Sequence, residues 1–65
     1  MTKGVRQLKR YRFDNELTQE TFAKKYGFKR GTLAVIESGG NPLIKTAKKL
    51  AKIVGCEWNL FYEEE

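Results

Sequence analysis

The fold of this chain is decided by residues 17–39, which read LTQETFAKKYGFKRGTLAVIESG. Thr18 has a hydroxyl that can accept a hydrogen bond from a free backbone N–H of a first helical turn, so a helix is predicted to begin there. Gly27 supplies the left-handed conformation that commonly closes a helix. A second short helix is predicted from about Lys29 to Ser38. Two short helices joined by a glycine turn therefore form the centre of the predicted fold.

The second helix of this pair has an inner and an outer side. Leu33 and Ile36 are three residues apart, and both are assigned to the core. At about 100° per residue, the side chains that then point outward are those of Gly31, Ala34, Val35 and Ser38. Two helices arranged in this way, the second with small residues outward, form the helix-turn-helix arrangement of DNA-binding proteins.

The residues before this pair predict one further helix. Its apolar stripe is made of Val5, Leu8 and Tyr11, which are three residues apart. The Asp14-Asn15 pair suits the end of this helix. We expect Asn15 to take the left-handed conformation in the turn before Leu17.

The fourth segment has the clearest start signal in the chain. Asn41 is predicted as its N-cap, Pro42 as its first helical residue, and Gly55 as its stop. Its predicted apolar stripe comprises Ile44, Ala47, Leu50, Ala51 and Val54. The opposite side carries Lys45, Lys48, Lys49 and Lys52, which are typical of a solvated face, a membrane-surface helix or a partner-binding helix. We favour the solvated face, with Lys45 the lysine best placed to meet a phosphate.

The last segment, Glu57 to Tyr62, is predicted as a terminal turn of helix that must dock to be stable. Trp58 and Phe61 are assigned to the core, whereas Leu60 and Tyr62 are candidates for a homodimer interface. Glu63 to Glu65 are interpreted as a frayed, solvated end, with exclusion of non-specific DNA as the alternative. The fold class is therefore all-α, a compact five-helix domain over residues 1–62 followed by an acidic tail over residues 63–65.

Composition and charge limit the classes of function. A chain of 65 residues is long enough for one domain. Residues 57–65 contain four acidic groups and no basic one, so the remaining residues carry 13 basic and four acidic groups. A body this basic is what a polyanionic partner selects, although solubility alone would also explain it.

The sequence lacks the combinations of residues that are typical of catalytic sites, metal sites and membrane spans. There is no histidine, Asp14 is the single aspartate, and Cys56 has no second thiol with which to complete a metal site. No glycine-rich phosphate loop is present. No apolar run approaches the ~20 residues that a membrane span requires. We therefore expect no enzyme activity, no cofactor, no metal and no membrane partner, and a cytoplasmic location because neither a disulfide nor an export leader is evident.

The chain also resembles a known family. The residues that carry the resemblance are Leu17-Thr18-Gln19-Glu20, Ala23, Gly27, Leu33, Ile36-Glu37, Gly39, Asn41-Pro42, Ala51 and Gly55. From about Val5 to Tyr62 the sequence is similar to the phage Cro and repressor family of XRE-type helix-turn-helix proteins, which have the lambda repressor-like fold. The resemblance implies a sequence-specific transcriptional regulator that reads double-stranded DNA, as a dimeric repressor on a palindromic operator.

The resemblance also implies a role for individual positions. The positions that approach base edges are Arg30, Gly31, Thr32, Ala34 and Val35. Those that line the phosphate backbone are Gln19, Ser38, Gly40, Asn41 and Lys45. Gln19 also braces against the second helix of the pair, Lys29 to Ser38, which is the recognition helix of the family. Arg12 and Glu37 match a partly buried ion pair that joins the first helix to the recognition helix.

The chemistry of these side chains adds detail. Arg30 can donate two hydrogen bonds to guanine, and Ala34 and Val35 either pack on thymine methyl groups or are ordinary exposed apolar residues. Gly31 lets the backbone lie close to DNA, unless the helix begins after it. Lys29 stands where the family usually has a capping Ser, Thr or Asp, so we expect a frayed first turn that becomes ordered when Lys29 meets a phosphate.

A different class of function remains open, in which the helix-turn-helix is an antitoxin-like or adaptor module that contacts protein. A steep dependence of affinity on salt favours DNA, and a small dependence favours the adaptor.

Overall fold

Five helical segments follow one another along the chain in the computed structural model, which describes residues 1–65. They are α1 (Lys3–Asp14), α2 (Gln19–Tyr26), α3 (Arg30–Glu37), α4 (Ile44–Val54) and a 3-10 turn over Trp58–Tyr62, which we name the C-terminal turn. The sequence prediction of an all-helical, five-element fold is confirmed, with the last element a 3-10 turn. No helix is both long enough and apolar enough to span a membrane.

The limits of α2 follow from hydrogen bonds made by its end residues. The Thr21 backbone N–H donates to Thr18 Oγ1 at 3.0 Å, and the Thr18 N–H donates to Thr21 Oγ1 at 2.8 Å. This reciprocal pair satisfies two backbone donors that a helix N-terminus leaves free. At the other end Gly27 has φ 77°, the left-handed conformation predicted for it. Both predicted ends of α2 are therefore confirmed.

The turn between α1 and α2 differs from the prediction. Glu16, and not Asn15, takes the left-handed conformation, with φ 55°. The Leu17 N–H donates to the Arg12 carbonyl at 2.8 Å and the Glu16 N–H to the Phe13 carbonyl at 3.1 Å. These two bonds define a Schellman ending, which requires the left-handed residue one position beyond the helix cap. Asn15 is that cap, so the prediction for Asn15 was wrong by one residue.

The start of α4 also differs from the prediction. The helix begins at Ile44 with Leu43 as a cap that makes no side-chain hydrogen bond, so Asn41 is not the N-cap and Pro42 is not the first helical residue. Instead the Pro42 carbonyl accepts a hydrogen bond of 2.5 Å from the Tyr62 hydroxyl. This contact ties the segment before α4 to the C-terminal turn, and the helix starts only after it.

The later start of α4 changes which residues are buried. Ala47, Leu50 and Ala51 are buried as predicted, and Gly55 closes the helix at φ 80°. Ile44, predicted as part of the apolar stripe, is instead exposed in the first turn. The N-terminal end of α4 therefore has an apolar surface that the core does not use.

One apolar core joins all five elements. Its ten buried residues are Val5, Leu8, Phe22, Ala23, Leu33, Ile36, Ala47, Leu50, Ala51 and Phe61. At its edge the hydroxyls of Tyr11 and Tyr26 share a hydrogen bond of 2.7 Å, which joins α1 to α2. That hydrogen bond, and then burial, raises the pKa of Tyr11. The core positions α3 by holding one side of it against the other helices.

The C-terminal turn docks through Phe61 and not through Trp58. Phe61 is fully buried, and a Cβ added at Gly4 of α1 would lie only 2.6 Å from its ring. Trp58 is 38% exposed, so its assignment to the core was wrong. As the first residue of the turn, it lies at the edge of the domain. Its ring packs against Tyr62 and under the Lys48 ammonium, with 6.1 Å between ring centroids and 5.3 Å to the nitrogen.

The acidic tail is docked, so its interpretation as a frayed end was wrong. The Lys3 N–H donates to the Glu63 carbonyl at 2.9 Å, and Thr2 pairs with Glu64 in an antiparallel bridge. Backbone pairing and opposite charges hold the tail against the start of α1. A sequence pattern of three glutamates does not reveal this docking.

Candidate nucleic-acid interface

Helix α3 has one buried side and one uncovered side. Leu33 and Ile36 lie in the core, as predicted, and this orientation turns the opposite side of the helix to solvent. The uncovered side chains are those of Arg30, Thr32 and Val35, together with Gly31 and the partly exposed Ala34. A Cβ added at Gly31 would meet no atom within 4 Å. An open surface of small side chains beside one arginine therefore runs along α3.

A buried ion pair fixes α3 relative to α1. Arg12 Nε donates to Glu37 Oε2 at 2.8 Å and Arg12 Nη2 to Glu37 Oε1 at 2.6 Å. The Glu37 side chain is 3% exposed and that of Arg12 18%. Arg12 Nη1 also donates to the Leu17 carbonyl at 3.0 Å, so the same guanidinium holds the turn before α2. The predicted pairing of Arg12 with Glu37 is confirmed.

Gln19 lies at the first residue of α2 and reaches the same carboxylate. Its Nε2 atom donates to Glu37 Oε1 at 3.3 Å, so the predicted contact between Gln19 and the recognition helix is present. Gln19 and Arg30 both line one open groove of about 590 Å³, whose wall also includes Arg12. The structure thus brings the N-terminal ends of α2 and α3 to a shared surface.

Lys29 precedes α3 and provides no side-chain cap, as its chemistry predicts. Its carbonyl accepts from the N–H groups of Thr32 and Leu33 at 3.1 and 3.3 Å. Neither Lys29 nor Arg30 forms an ion pair within the chain. Two unpaired cations therefore lie at the positive end of the α3 dipole, where an anion would be stabilised.

The predicted phosphate-contact residues after α3 surround its C-terminal end. Ser38 is the cap of α3, and its hydroxyl donates to the Val35 carbonyl at 3.0 Å. The Gly40 N–H donates to the same carbonyl at 2.8 Å. Asn41 and Lys45 are exposed, and Lys45 forms no ion pair. Of this set, Asn41 and Lys45 have free polar groups directed to solvent, whereas the Gly40 amide is already used.

A groove between α3 and the following loop was missed by the sequence prediction. It has a volume of about 440 Å³ and is lined by Gly31, Thr32, Val35, Ile36, Asn41, Pro42, Leu43 and Thr46. Leu43 is 77% exposed beside it. The sequence prediction began the helix at Asn41 and so placed Leu43 within a regular first turn. It therefore gave no indication of this groove.

The dimer-interface candidates, Leu60 and Tyr62, lie on the C-terminal turn. Leu60 is partly buried, and Tyr62 is exposed on its ring while its hydroxyl is bonded to Pro42. Trp58, whose ring meets that of Tyr62 edge to face, extends the same apolar surface.

Cys56 has the properties of a structural thiol. Partial burial, and then the neighbouring Glu57 carboxylate, raises the pKa of this thiol, which disfavours the reactive thiolate. No group of three histidine, cysteine, aspartate or glutamate side chains could hold a metal ion.

Comparison with known proteins agrees with this geometry. The helix-turn-helix family model matches residues 8–61, which is most of the chain. This chain belongs to the XRE-type helix-turn-helix family. An uncharacterized HTH-type transcriptional regulator of Methanocaldococcus jannaschii is 48% identical to it over 51 residues, 77% of each chain. A second uncharacterized HTH-type transcriptional regulator, of Archaeoglobus fulgidus, is 36% identical over 62 residues, 89% of this chain and 87% of the relative. No solved structure gives a match. The family is one of regulators and not of enzymes.

Proposed function

We propose that this protein is a DNA-binding transcriptional regulator that places α3 in the major groove of a specific double-stranded site. The observation that carries the proposal is the uncovered side of α3, a helix that the buried Arg12–Glu37 pair joins to α1. A single α-helix fits the major groove, where each base pair presents a distinct pattern of donors and acceptors. The names of the two relatives support the same class of function.

In this proposal the uncovered side of α3 reads the bases. Arg30 donates to O6 and N7 of a guanine, a contact worth about 1–3 kcal/mol of discrimination. Ala34 and Val35 pack on thymine methyl groups, and Val35, at 58% exposed, has area to contribute. Gly31 and Thr32 lie nearest the N-terminal end, where the open space at Gly31 lets the backbone approach the base edges.

Two sets of residues, one at each end of α3, contact phosphates in this proposal. Gln19 and Lys29 lie at the N-terminal ends of α2 and α3, where helix dipoles and free N–H groups favour anions. Ser38, Asn41 and Lys45 lie beyond the C-terminal end. The Gly40 N–H is already bonded to the Val35 carbonyl, so it does not donate to a phosphate. Gly40 contributes only a close approach of the backbone. Contacts at both ends would hold the helix in register along the groove.

We further propose a homodimer on a palindromic operator, acting as a repressor by blocking access to a promoter. A helix of eight residues is about 12 Å long and reads only a few base pairs, so two copies give a longer site. Paired recognition helices in this class lie about 34 Å apart. The domain measures 26 × 21 × 20 Å, so a spacing of this size is compatible with two adjacent copies. In this proposal the two copies meet through Leu60 and Tyr62.

The alternative, a module that contacts protein, is favoured by one observation. The groove between α3 and its following loop is bordered by Val35 and Leu43, two exposed apolar side chains that a peptide could cover.

The dependence of affinity on salt separates the two functions. Binding through ~6–10 phosphates predicts a fall in affinity of ~10³–10⁵-fold between 50 and 200 mM salt. Sites selected from random DNA should also share a palindromic sequence. A shallow salt dependence without sequence preference would favour the protein-contact module.

Two substitutions then test the assigned roles. Arg30→Ala should relax the preference at one position of each half-site, because it removes a base contact. Lys45→Ala should weaken binding to all sequences alike and reduce the salt dependence, because it removes a phosphate contact. The opposite pattern would contradict both assignments.

A further inference from the structure

The acidic tail, Glu63–Glu65, occupies a defined position next to the loop that follows α3. Backbone pairing with Thr2 and Lys3 fixes its course along the start of α1. Two ion pairs add to this, one of 3.7 Å between Lys3 and Glu63 and one of 3.1 Å between Arg6 and Glu65. The tail is therefore ordered by contacts on both its backbone and its side chains.

Glu64 is the tail residue that faces α3. It lines a small cavity of about 60 Å³ together with Gly39, Gly40 and Asn41, the segment that we place beside the DNA backbone. Its side chain is 73% exposed, so its charge is directed largely to solvent at the rim of this cavity. Each tail glutamate pairs with a cation: Glu63 and Glu65 with two basic side chains, and Glu64 with the N-terminal ammonium of Met1 at 3.4 Å.

We propose that the docked tail lowers the affinity of this protein for DNA, by holding the Glu64 carboxylate beside the loop that meets the phosphate backbone. This inference rests on the proposed function. A phosphate that approaches Gly40 and Asn41 also approaches the Glu64 carboxylate, which lines the same cavity, and it finds the Met1 ammonium already paired with that carboxylate. Salt screens the resulting repulsion in part, because the carboxylate is largely exposed. Glu63 and Glu65 strengthen the effect, because they pair with Lys3 and Arg6 and so remove two cations from the attraction to DNA.

The tail lowers the affinity for specific sites and for random DNA by the same mechanism. A correct site also gains base contacts, whereas non-specific binding depends almost wholly on phosphate attraction. At a protein concentration that still saturates the specific site, the repulsion therefore reduces the occupancy of random DNA.

The test compares Glu64→Gln with Glu57→Gln as a matched control. Both changes remove one exposed negative charge and keep the size of the side chain. Glu57 lies beside Lys48 and Lys52, in a surface depression that includes no residue of α3 or of its following loop. A combined Glu63→Gln, Glu64→Gln, Glu65→Gln variant removes all three side-chain charges of the tail. Unchanged helix content by circular dichroism verifies that each variant is folded.

Affinity is measured for the selected operator and for random duplex DNA, at 50 and 200 mM salt. We expect Glu64→Gln to bind random DNA about two- to fivefold more tightly at 50 mM salt, with a smaller gain at 200 mM. The combined variant should gain more, on the operator as well as on random DNA. If Glu64→Gln gains no more than Glu57→Gln, the inference is overturned while the proposed function stands. If the unaltered protein shows no salt-dependent DNA binding, both are overturned.

Discussion

Glycine has opposite consequences at two positions of this chain, and the difference lies in what surrounds the missing side chain. At Gly4 the backbone of α1 lies directly against the Phe61 ring, so a Cβ would meet ring carbons at 2.6 and 2.7 Å. At Gly31 a Cβ would enter open space. The first glycine serves packing between α1 and the C-terminal turn. No intramolecular contact accounts for the second, which is consistent with an approach to another molecule.

The same substitution at these two glycines should change stability in opposite directions. Gly4→Ala should lower the free energy of unfolding by about 1–3 kcal/mol, because Phe61 must shift in a packed core. Gly31→Ala should raise it by up to about 1 kcal/mol, because alanine has the higher helix propensity. Urea unfolding of the two variants measures both effects, and changes of the same sign would contradict this account.

Gly31→Ala also bears on the proposed interface. If the backbone at Gly31 lies against base edges, the more stable variant should bind the operator less tightly than the unaltered protein. A gain in stability with unchanged operator binding would remove Gly31 from the set of base-contact residues.

Among the secondary-structure elements, α3 depends most on one polar contact. The Arg12 guanidinium bonds to both oxygens of Glu37 and to the carbonyl of Leu17, so it links α1, the following turn and α3. Because the Glu37 carboxylate is almost wholly buried and Arg12 is less so, the two partners should differ in what their loss costs. Loss of the cation leaves a charge inside the protein, whereas loss of the anion leaves a guanidinium that can reach water.

We therefore expect Arg12→Met to destabilise the fold by about 3–5 kcal/mol and Glu37→Gln to destabilise it by less. A double-mutant cycle that combines both changes should recover part of the loss, since the buried charge is then gone. Denaturant unfolding measures all three variants. Equal losses for the two single variants would show that the buried charge does not dominate.

The start of α3 has no side-chain cap and no acidic residue in its first turn. Lys29→Ser supplies a capping hydroxyl and removes a cation from the positive end of the helix, so it should stabilise the free protein by about 0.5–2 kcal/mol. The same change should weaken DNA binding, because it removes a proposed phosphate contact. Amide exchange at Arg30 to Leu33, with and without operator, tests the underlying idea. Equal protection in both states would end the proposal that this turn becomes ordered on binding.

The elements could be predicted from the sequence wherever a local signal determines them. Three local signals are of this kind: the hydroxyl of Thr18, Gly27 at the turn, and the spacing of Leu33 and Ile36. Each acts within one or two helical turns, and each prediction is confirmed. The predicted start of α4 failed because the Pro42 carbonyl is bonded to Tyr62, 20 residues away. The docking of the tail on α1 is non-local in the same way, so no nearby pattern could reveal it.

The same distinction between local signals and non-local contacts applies to the candidate site. The ion pair of Arg12 with Glu37 is non-local, and it was predicted only through the family resemblance. Leu43, next to α3, was missed because its exposure depends on where α4 begins.

For the whole molecule, charge is arranged unevenly. The five ion pairs include three between the N-terminal segment and the tail, formed by Met1, Lys3 and Arg6 with Glu64, Glu63 and Glu65 respectively. Lys29, Arg30 and Lys45, around α3, have no such partner. Attraction to a polyanion is therefore weakened at the start of α1, where the tail pairs with the cations, and is kept around α3.

A second property of the whole molecule is the apolar surface on the C-terminal turn. Trp58 and Tyr62 are each 38% exposed and their rings meet edge to face, so they form an amphipathic aromatic patch of the kind enriched in protein interfaces. In a two-fold dimer, each residue of such a patch lies near the same residue of the other protomer or near another residue of the same patch there. A charge introduced there is therefore introduced twice, into a surface from which water is excluded.

Tyr62→Lys should consequently weaken self-association by about tenfold or more, the effect of losing an interface anchor. Tyr62→Phe is the matched control, because it keeps the ring and loses only the hydrogen bond to Pro42, at a cost in stability of about 0.5–1.5 kcal/mol. Sedimentation equilibrium gives the dimer constants, and binding to a palindromic site and to a half-site shows the consequence on DNA. The lysine variant should lose its preference for the palindrome but keep its affinity for the half-site, since α3 is unchanged. If both variants associate like the unaltered protein, the dimer contact lies on a different face.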